Sequence, residues 1–118
     1  MLTLTNDADL TFVEGTPDVP LMATADEASG VIEACFSHGT RDVLLYATNM
    51  TPGFFDLSSR EAGTILQRLR NYGIRLVVVC PPGTRFSSRF GEMVAEERQG
   101  RLFAIVETRD AALEWLGR

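Results

Sequence analysis

The stretch Ile74–Cys80 reads Ile-Arg-Leu-Val-Val-Val-Cys and is the most strand-like segment of the chain. Its β-branched residues favour an extended backbone, and Pro81-Pro82-Gly83 ends the segment sharply. Val43–Ala47 and Leu102–Val106 are two further runs that are short and almost wholly apolar. Such runs are typical of strands that are covered on both faces of a sheet. The sequence therefore predicts a buried, mostly parallel sheet.

Four segments before, between and after these strands have helical spacing. Predicted helix one covers residues 25–37, opens with a capping box at Thr24-Ala25-Asp26-Glu27 and stops at Gly39. Predicted helix two begins at Ser58 or Ser59 and closes at Gly73, and Thr108 caps predicted helix four. In predicted helix one, the apolar positions with helical spacing are Ala28, Val31, Ile32, Cys35 and Phe36. In predicted helix two, the expected buried stripe is Ala62, Ile65, Leu66, Leu69 and Tyr72. In predicted helix three, the apolar positions are Phe90, Met93 and Val94.

The N-terminal segment predicts a β-hairpin. Leu2–Thr5 and Leu10–Val13 alternate apolar and polar residues around a turn at Asn6-Asp7-Ala8-Asp9. The element order is then β-β-α-β-α-β-α-β-α, which implies right-handed crossovers. We expect a single α/β domain over residues 1–118, with about four helices. Its mixed, mostly parallel sheet has four or five strands and begins with the hairpin.

Composition narrows the class of protein. The 118 residues suit one domain, and the net charge of −5 counts against binding to a nucleic-acid backbone. Two cysteines, Cys35 and Cys80, form no disulfide framework, and the run Leu76–Cys80 is far too short to cross a bilayer. No apolar leader opens the chain. The sequence predicts a cytoplasmic protein with neither nucleic-acid nor membrane partners.

The junction before helix two is the leading candidate site. It combines loop aromatics, an acid and two hydroxyls at a helix N-terminus, where free amides favour anions. Ordinary helix capping by a serine is the simpler interpretation of the same residues. The candidate regulatory or binding residues are Phe54, Phe55, Asp56, Ser58, Ser59, Arg60 and Gly63.

A cleft at the carboxyl ends of the strands is the rival candidate site. Open α/β sheets bind ligands at this position, and Asn49, Asp56, Cys80 and Arg85 would line the cleft. A nucleophilic cysteine needs a base or a lowered pKa, and the only histidine, His38, falls at the end of helix one. We therefore expect no catalytic triad, and the residues match no spacing for a metal or cofactor.

About two-thirds of the chain resembles a known bacterial family, the domain of unknown function numbered 4180. The resemblance covers roughly residue 40 to the end, and the first third matches in layout only. It rests on residues of the junction and of predicted helix two. These are Phe54-Phe55-Asp56-Leu57, Ala62-Gly63, Ile65-Leu66-Gln67 and Asn71-Tyr72.

A more distant resemblance is to STAS domains, which include the anti-sigma-factor antagonists. It rests on Asp56, Ser58 and Ser59, then on Gly63-Thr64-Ile65-Leu66 and the strand after Gly73. The resemblance implies that phosphorylation of Ser58 or Ser59 controls binding to a protein partner. We therefore expect a non-enzymatic regulatory or protein-binding module that acts through the loop and helix start at residues 54–63. The alternatives are a small enzyme or ligand-binding protein that uses the cleft, and a homodimer formed through the hairpin or a helix face.

Overall fold

A five-stranded sheet forms the centre of the molecule. The computed structural model describes residues 2–21, 26–50, 61–84, 88, 91–92, 94–95 and 101–117. Strands β1 to β5 follow one another in the sheet in the same order as in the chain. β1 and β2 are antiparallel, whereas β2, β3, β4 and β5 are parallel. The strands are β1 (Leu2–Asp7), β2 (Leu10–Gly15), β3 (Asp42–Tyr46), β4 (Arg75–Val79) and β5 (Phe103–Val106).

The predicted hairpin is confirmed, with longer strands than expected. Leu2 pairs with Gly15 and Asp7 with Leu10, which leaves Ala8 and Asp9 as the two turn residues. Both turn residues have positive φ angles, 51° and 62°, as a two-residue hairpin turn requires. Pairing therefore continues through Asn6 and Asp7, which the sequence assigned to the turn.

Three helices are described in full: α1 (Ala28–His38), α2 (Glu61–Asn71) and α3 (Arg109–Leu116). The predicted cap of the last helix is confirmed, because Thr108 Oγ1 accepts from the amide of Ala111 at 3.1 Å. Helical backbone at residues 88, 91–92 and 94–95 lies within predicted helix three, which the sequence places between a cap at Ser87 or Ser88 and a stop at Gly100. The other residues of that segment, with Phe90 and Met93, are outside the described part, so a fourth complete helix is not established.

The prediction of a capping box at the start of the first helix was wrong. The N-cap of α1 is Glu27, and its side chain makes no capping hydrogen bond. The helix instead follows a tight turn, in which the amides of Ser29 and Gly30 donate to the carbonyls of Asp26 and Glu27. Thr24 and Ala25 lie outside the described residues.

The two faces of the sheet are covered by different helices. Side chains of α1 and α2 pack with the first face, whose core residues include Val13, Val43, Leu45, Leu76 and Val78. Side chains of α3 pack with the second face, formed by Phe12, Leu44, Val77, Val79 and Ala104. Among the described residues, no helix is long and apolar enough to span a membrane.

Helix α3 is fixed to the sheet near its C-terminal end by Arg75 at the start of β4. The guanidinium donates to the carbonyls of Trp115 and Leu116 at 3.1 and 3.2 Å, which satisfies carbonyls at the helix terminus. It also lies over the Trp115 ring at 4.9 Å and pairs with Asp42 at 3.4 Å. A positive charge at a helix C-terminus is electrostatically favourable.

Two aromatic side chains that share the spacing of the buried helix residues are exposed. Ala28, Val31, Ile32 and Cys35 of α1 are buried, but Phe36 is 60% exposed. Tyr72, predicted to lie in the buried stripe of helix two, is 51% exposed. α2 ends at Asn71, so Tyr72 lies in the turn before Gly73, where helical spacing no longer sets the direction of a side chain.

Candidate functional site

The carboxyl ends of β3, β4 and β5 lie together at one edge of the sheet, here called the carboxyl edge. Both candidate sites were predicted at this edge. Of the candidate residues, the structure describes Gly63, Asn49 and Cys80. Those outside the described residues are Phe54, Phe55, Asp56, Ser58, Ser59, Arg60 and Arg85.

A cavity of about 490 Å³ opens at the carboxyl edge beside the ends of β4 and β5. Its size falls within the range of small-ligand pockets. Its walls come from the Pro81–Thr84 turn, the helical residues Gly91 and Val94, and the start of α3. The described lining residues are Cys80, Pro81, Pro82, Gly83, Thr84, Gly91, Val94, Ile105, Val106, Glu107 and Ala111.

The cysteine in the described lining of this cavity is buried and is not activated as a nucleophile. Cys80 is only 3% exposed, and burial raises the pKa of its thiol to about 12. A thiol with this pKa is protonated near neutral pH and is a poor nucleophile. Glu107 is the one carboxylate in the described lining, and it is exposed. Among the described residues, no group of three His, Cys, Asp or Glu side chains could hold a metal ion.

Gly63 lies in the first turn of α2 and is exposed. A methyl group built on its Cα would meet no heavy atom within 4 Å. There is therefore room for a small side chain at this position.

Asn49 is fully buried and stabilises the backbone instead of lining a cleft. Its Nδ2 donates to the carbonyls of Thr16 and Val19 at 2.7 and 2.8 Å, and its Oδ1 accepts from the amide of Tyr46 at 2.8 Å. These bonds fasten the connector after β2 to the end of β3. The side chain thus has a structural role that the sequence did not predict.

A polar network on the second face was also not predicted from the sequence. Glu14 accepts from Tyr46 Oη, from Thr5 Oγ1 at 3.1 Å and from the Arg109 guanidinium. Arg109 reaches Asp7 as well, at 2.7 Å. The partners come from β1, β2, β3 and α3, so no local pattern in the sequence connects them.

Burial and hydrogen bonding act in opposite directions on Glu14. Burial alone would raise the pKa of Glu14, but the bonds from Arg109, Tyr46 and Thr5 hold this pKa below its ordinary value. Burial and the neighbouring Glu14 carboxylate both raise the pKa of Tyr46, to about 12. At neutral pH the network therefore contains a carboxylate, a neutral phenol and a guanidinium. In this arrangement the Glu14 carboxylate accepts hydrogen bonds from both of the other groups.

A second concave surface lies between α1 and α2, on the outer side of these helices. This groove has a volume of about 500 Å³ and is lined by Ser29, Ile32, Glu33, Phe36, Arg68, Asn71 and Tyr72. The Phe36 and Tyr72 rings meet edge to face, with centroids 5.7 Å apart and planes at 73°. It is called the α1–α2 groove below.

The model of the family described as "Domain of unknown function (DUF4180)" matches residues 7–116. The chain belongs to the DUF4180 family. The predicted family is thus confirmed, and the match extends well beyond residue 40, into the N-terminal hairpin. No curated protein and no solved structure matches the chain.

The DUF4180 match includes the cavity, the α1–α2 groove and every residue of the Glu14 network except Thr5. It begins at the end of β1 and ends within the last residues of α3. The carboxyl edge of this DUF4180 chain presents a cavity of small-ligand size, whereas Asn49 and the Glu14 network connect distant segments of the scaffold.

Proposed function

We propose that this DUF4180 chain is a non-enzymatic, protein-binding regulatory module with a STAS-like architecture. The main observation behind this proposal is the cavity at the ends of β4 and β5. Open α/β sheets bind ligands at this carboxyl edge. Its apolar walls at Pro82, Val94 and Val106 suit an aliphatic or aromatic side chain of a partner segment. The raised pKa of the Cys80 thiol is a second support, since it leaves no activated nucleophile at this position.

The element order supports the STAS-like part of the proposal. The hairpin, the parallel strands and the helix after β5 follow the layout expected from that resemblance. In STAS antagonists a serine before the second helix is phosphorylated by a partner kinase. By resemblance, Ser58 or Ser59 would carry the phosphate here, next to the start of α2. A phosphate adds about −1.5 to −2 charge near neutral pH, enough to change the affinity of a partner.

Site-specific photo-crosslinking tests the binding surface. A photoreactive phenylalanine analogue replaces Glu107, which lines the cavity, or Glu114, which is exposed on α3. We expect a discrete protein adduct in cells of the native host from position 107 and none from position 114. The same adducts from both positions, or none from position 107 under any growth condition, would count against the proposal.

Mass spectrometry of protein purified from the host tests the regulatory part. We expect a phosphate on Ser58 or Ser59 and a crosslink at position 107 that weakens when both serines are changed to Asp. If both serines stay unmodified under all conditions and the Ser→Asp variant crosslinks as wild type does, the regulatory part of the proposal is wrong. The binding part of the proposal is not affected by that result.

A small-ligand-binding protein is the second candidate function. The volume of about 490 Å³ favours it, because it matches pockets that hold metabolite-sized molecules. Native mass spectrometry of freshly purified protein separates the two readings. A bound small molecule that disappears in a Gly91→Trp variant supports ligand binding, and a protein adduct at position 107 supports the module.

A further inference from the structure

The α1–α2 groove carries an exposed pair of aromatic rings. Phe36 is 60% and Tyr72 51% exposed, and each is a large apolar surface in water. Their edge-to-face contact places the two rings at the same level along the helices. Exposed aromatic clusters of this kind mark interaction surfaces more often than isolated apolar residues do.

Opposite charges flank the rings one helical turn away. Glu33 precedes Phe36 by three residues on α1, and Arg68, in the last turn of α2, precedes Tyr72 by four residues in the chain. Glu33 and Phe36 share one face of α1, and Arg68 and Tyr72 line the same groove. The Arg68 side chain is 43% exposed and already contacts Ser29 Oγ at 3.1 Å and Asp26 at 3.9 Å. Arg68 also lines the groove, so we infer that one guanidinium can contact acids in its own chain and in another.

The two helices run in the same direction. Each leads from the carboxyl end of one parallel strand back to the start of the next, so α1 and α2 are parallel to each other. A two-fold axis along the groove would therefore place α1 opposite α2 of a second copy. Phe36 would then meet the partner's Tyr72, and Glu33 would meet the partner's Arg68. One rotation brings both the aromatic and the charged pairs together.

We propose that the α1–α2 groove is a self-association surface whose occupant is the same groove of a second copy. The contact is isologous, because each copy supplies an acid to the base of the other. It is independent of the carboxyl edge, and the dimer leaves the cavity beside β4 and β5 open to a partner.

The size of the helix pair sets the expected strength of the dimer. Two helices of 11 residues each are about 16 Å long and lie about 10 Å apart. The face they form is smaller than the ~800 Å² per partner of a standard stable interface. We therefore expect a reversible dimer with a dissociation constant on the order of 10 to 100 µM.

Reciprocal charge reversal tests the proposed two-fold axis. Sedimentation velocity from about 1 to 500 µM measures the association of the wild-type chain, Glu33→Arg and Arg68→Glu. Each variant alone places like charges opposite each other, so we expect its dimer to weaken by about tenfold or more. An equimolar mixture of the two variants again has opposite charges at both pairs. We expect the mixture to associate within about threefold of wild type, as a mixed dimer in native mass spectrometry.

Matched controls separate loss of association from loss of folding. Glu114→Arg reverses an exposed acid on α3, outside the groove, and should leave association unchanged. Tyr72→Ser removes an exposed ring and should weaken the dimer while thermal unfolding stays close to that of wild type. A wild-type chain that stays monomeric at the highest concentration overturns the proposal. A dimer that is insensitive to Tyr72→Ser also overturns it, as does a mixture of the two charge variants that does not regain association. Neither result bears on the proposed binding module at the carboxyl edge.

Discussion

Arg109 and Glu14 are 95 residues apart in the chain and form a two-point ion pair. Arg109 Nε lies 3.0 Å from Glu14 Oε2, and Nη2 lies 3.3 Å from Oε1. The same guanidinium lies over the Phe12 ring at 5.9 Å. The pair thereby fastens the first turn of α3 to the second strand of the sheet. Paired N–H donors in a planar fork are a geometry that arginine provides and lysine does not.

We expect Arg109→Lys to destabilise the fold although it keeps the positive charge. Lysine donates from a single point, so at least one bond to Glu14 or Asp7 is lost, at a cost of about 1–2 kcal/mol for this partly exposed pair. Urea unfolding monitored by Trp115 fluorescence measures the change. Arg101→Lys, at an exposed position, is the matched control and should shift the midpoint little. Equal shifts for the two variants would show that the two-point geometry contributes nothing.

Glu14 should make stability fall in acid. Its pKa is lowered in the folded state, so the folded chain binds the proton less readily than the unfolded chain does. The contribution of Glu14 is complete above its unfolded pKa of about 4.3 and is lost as the pH falls through the folded value. Glu14→Gln lacks this titration, so its difference from wild type in free energy of unfolding should be larger near pH 7 than near pH 3. A difference that stays constant between these pH values contradicts the assignment.

Tyr46 should have the opposite dependence, at the alkaline end. Its pKa is raised to about 12 in the folded state, so the neutral phenol is favoured by folding. This contribution is complete below the unfolded pKa of about 10 and is lost as the pH rises toward 12. The stability advantage of wild type over Tyr46→Phe should therefore shrink above about pH 10. Ultraviolet titration of the phenolate in the folded protein checks the same value directly, with Tyr72→Phe removing the second tyrosine.

Gly15 and Gly63 should respond in opposite ways to a methyl group. A Cβ on Gly15 would lie 2.5 Å from Asn49 Oδ1 and 2.8 Å from Leu45 Cδ2, so Gly15→Ala displaces the buried amide, at about 1–3 kcal/mol. A Cβ on Gly63 meets no atom within 4 Å, and alanine favours helix, so Gly63→Ala should stabilise by about 0.5–1 kcal/mol. Thermal unfolding of both variants gives the comparison. A stable Gly15→Ala variant would show that the Asn49 contacts are easily rearranged.

Cys80 should be unreactive in the folded protein. With the pKa of its thiol raised to about 12, its thiolate population near pH 8 is lower by on the order of a thousandfold than that of an ordinary cysteine. In a Cys35→Ala background, a disulfide reagent should label Cys80 rapidly after unfolding and very slowly before it. Rapid labelling of the folded protein would instead restore the cysteine to the list of candidate nucleophiles.

The sequence predicted the sheet well because its strands carry their own signals. The apolar runs around Val77 and Leu44 and the turn at Ala8 predicted the hairpin and the parallel strands to within two residues at each end. Tyr72 was misplaced because the helix ends one residue before it, and element ends are set by local turn geometry. The Glu14, Tyr46 and Arg109 contacts were missed for a different reason: they join distant segments through tertiary packing, which one-dimensional spacing does not report.

The order in which the second face is assembled has a consequence for synthesis. Phe12, Leu44 and Val77 are translated before α3, the helix that packs on them and is held by Arg75 and Arg109. The apolar residues of the second face that have already left the ribosome therefore stay uncovered until α3 follows them later in synthesis.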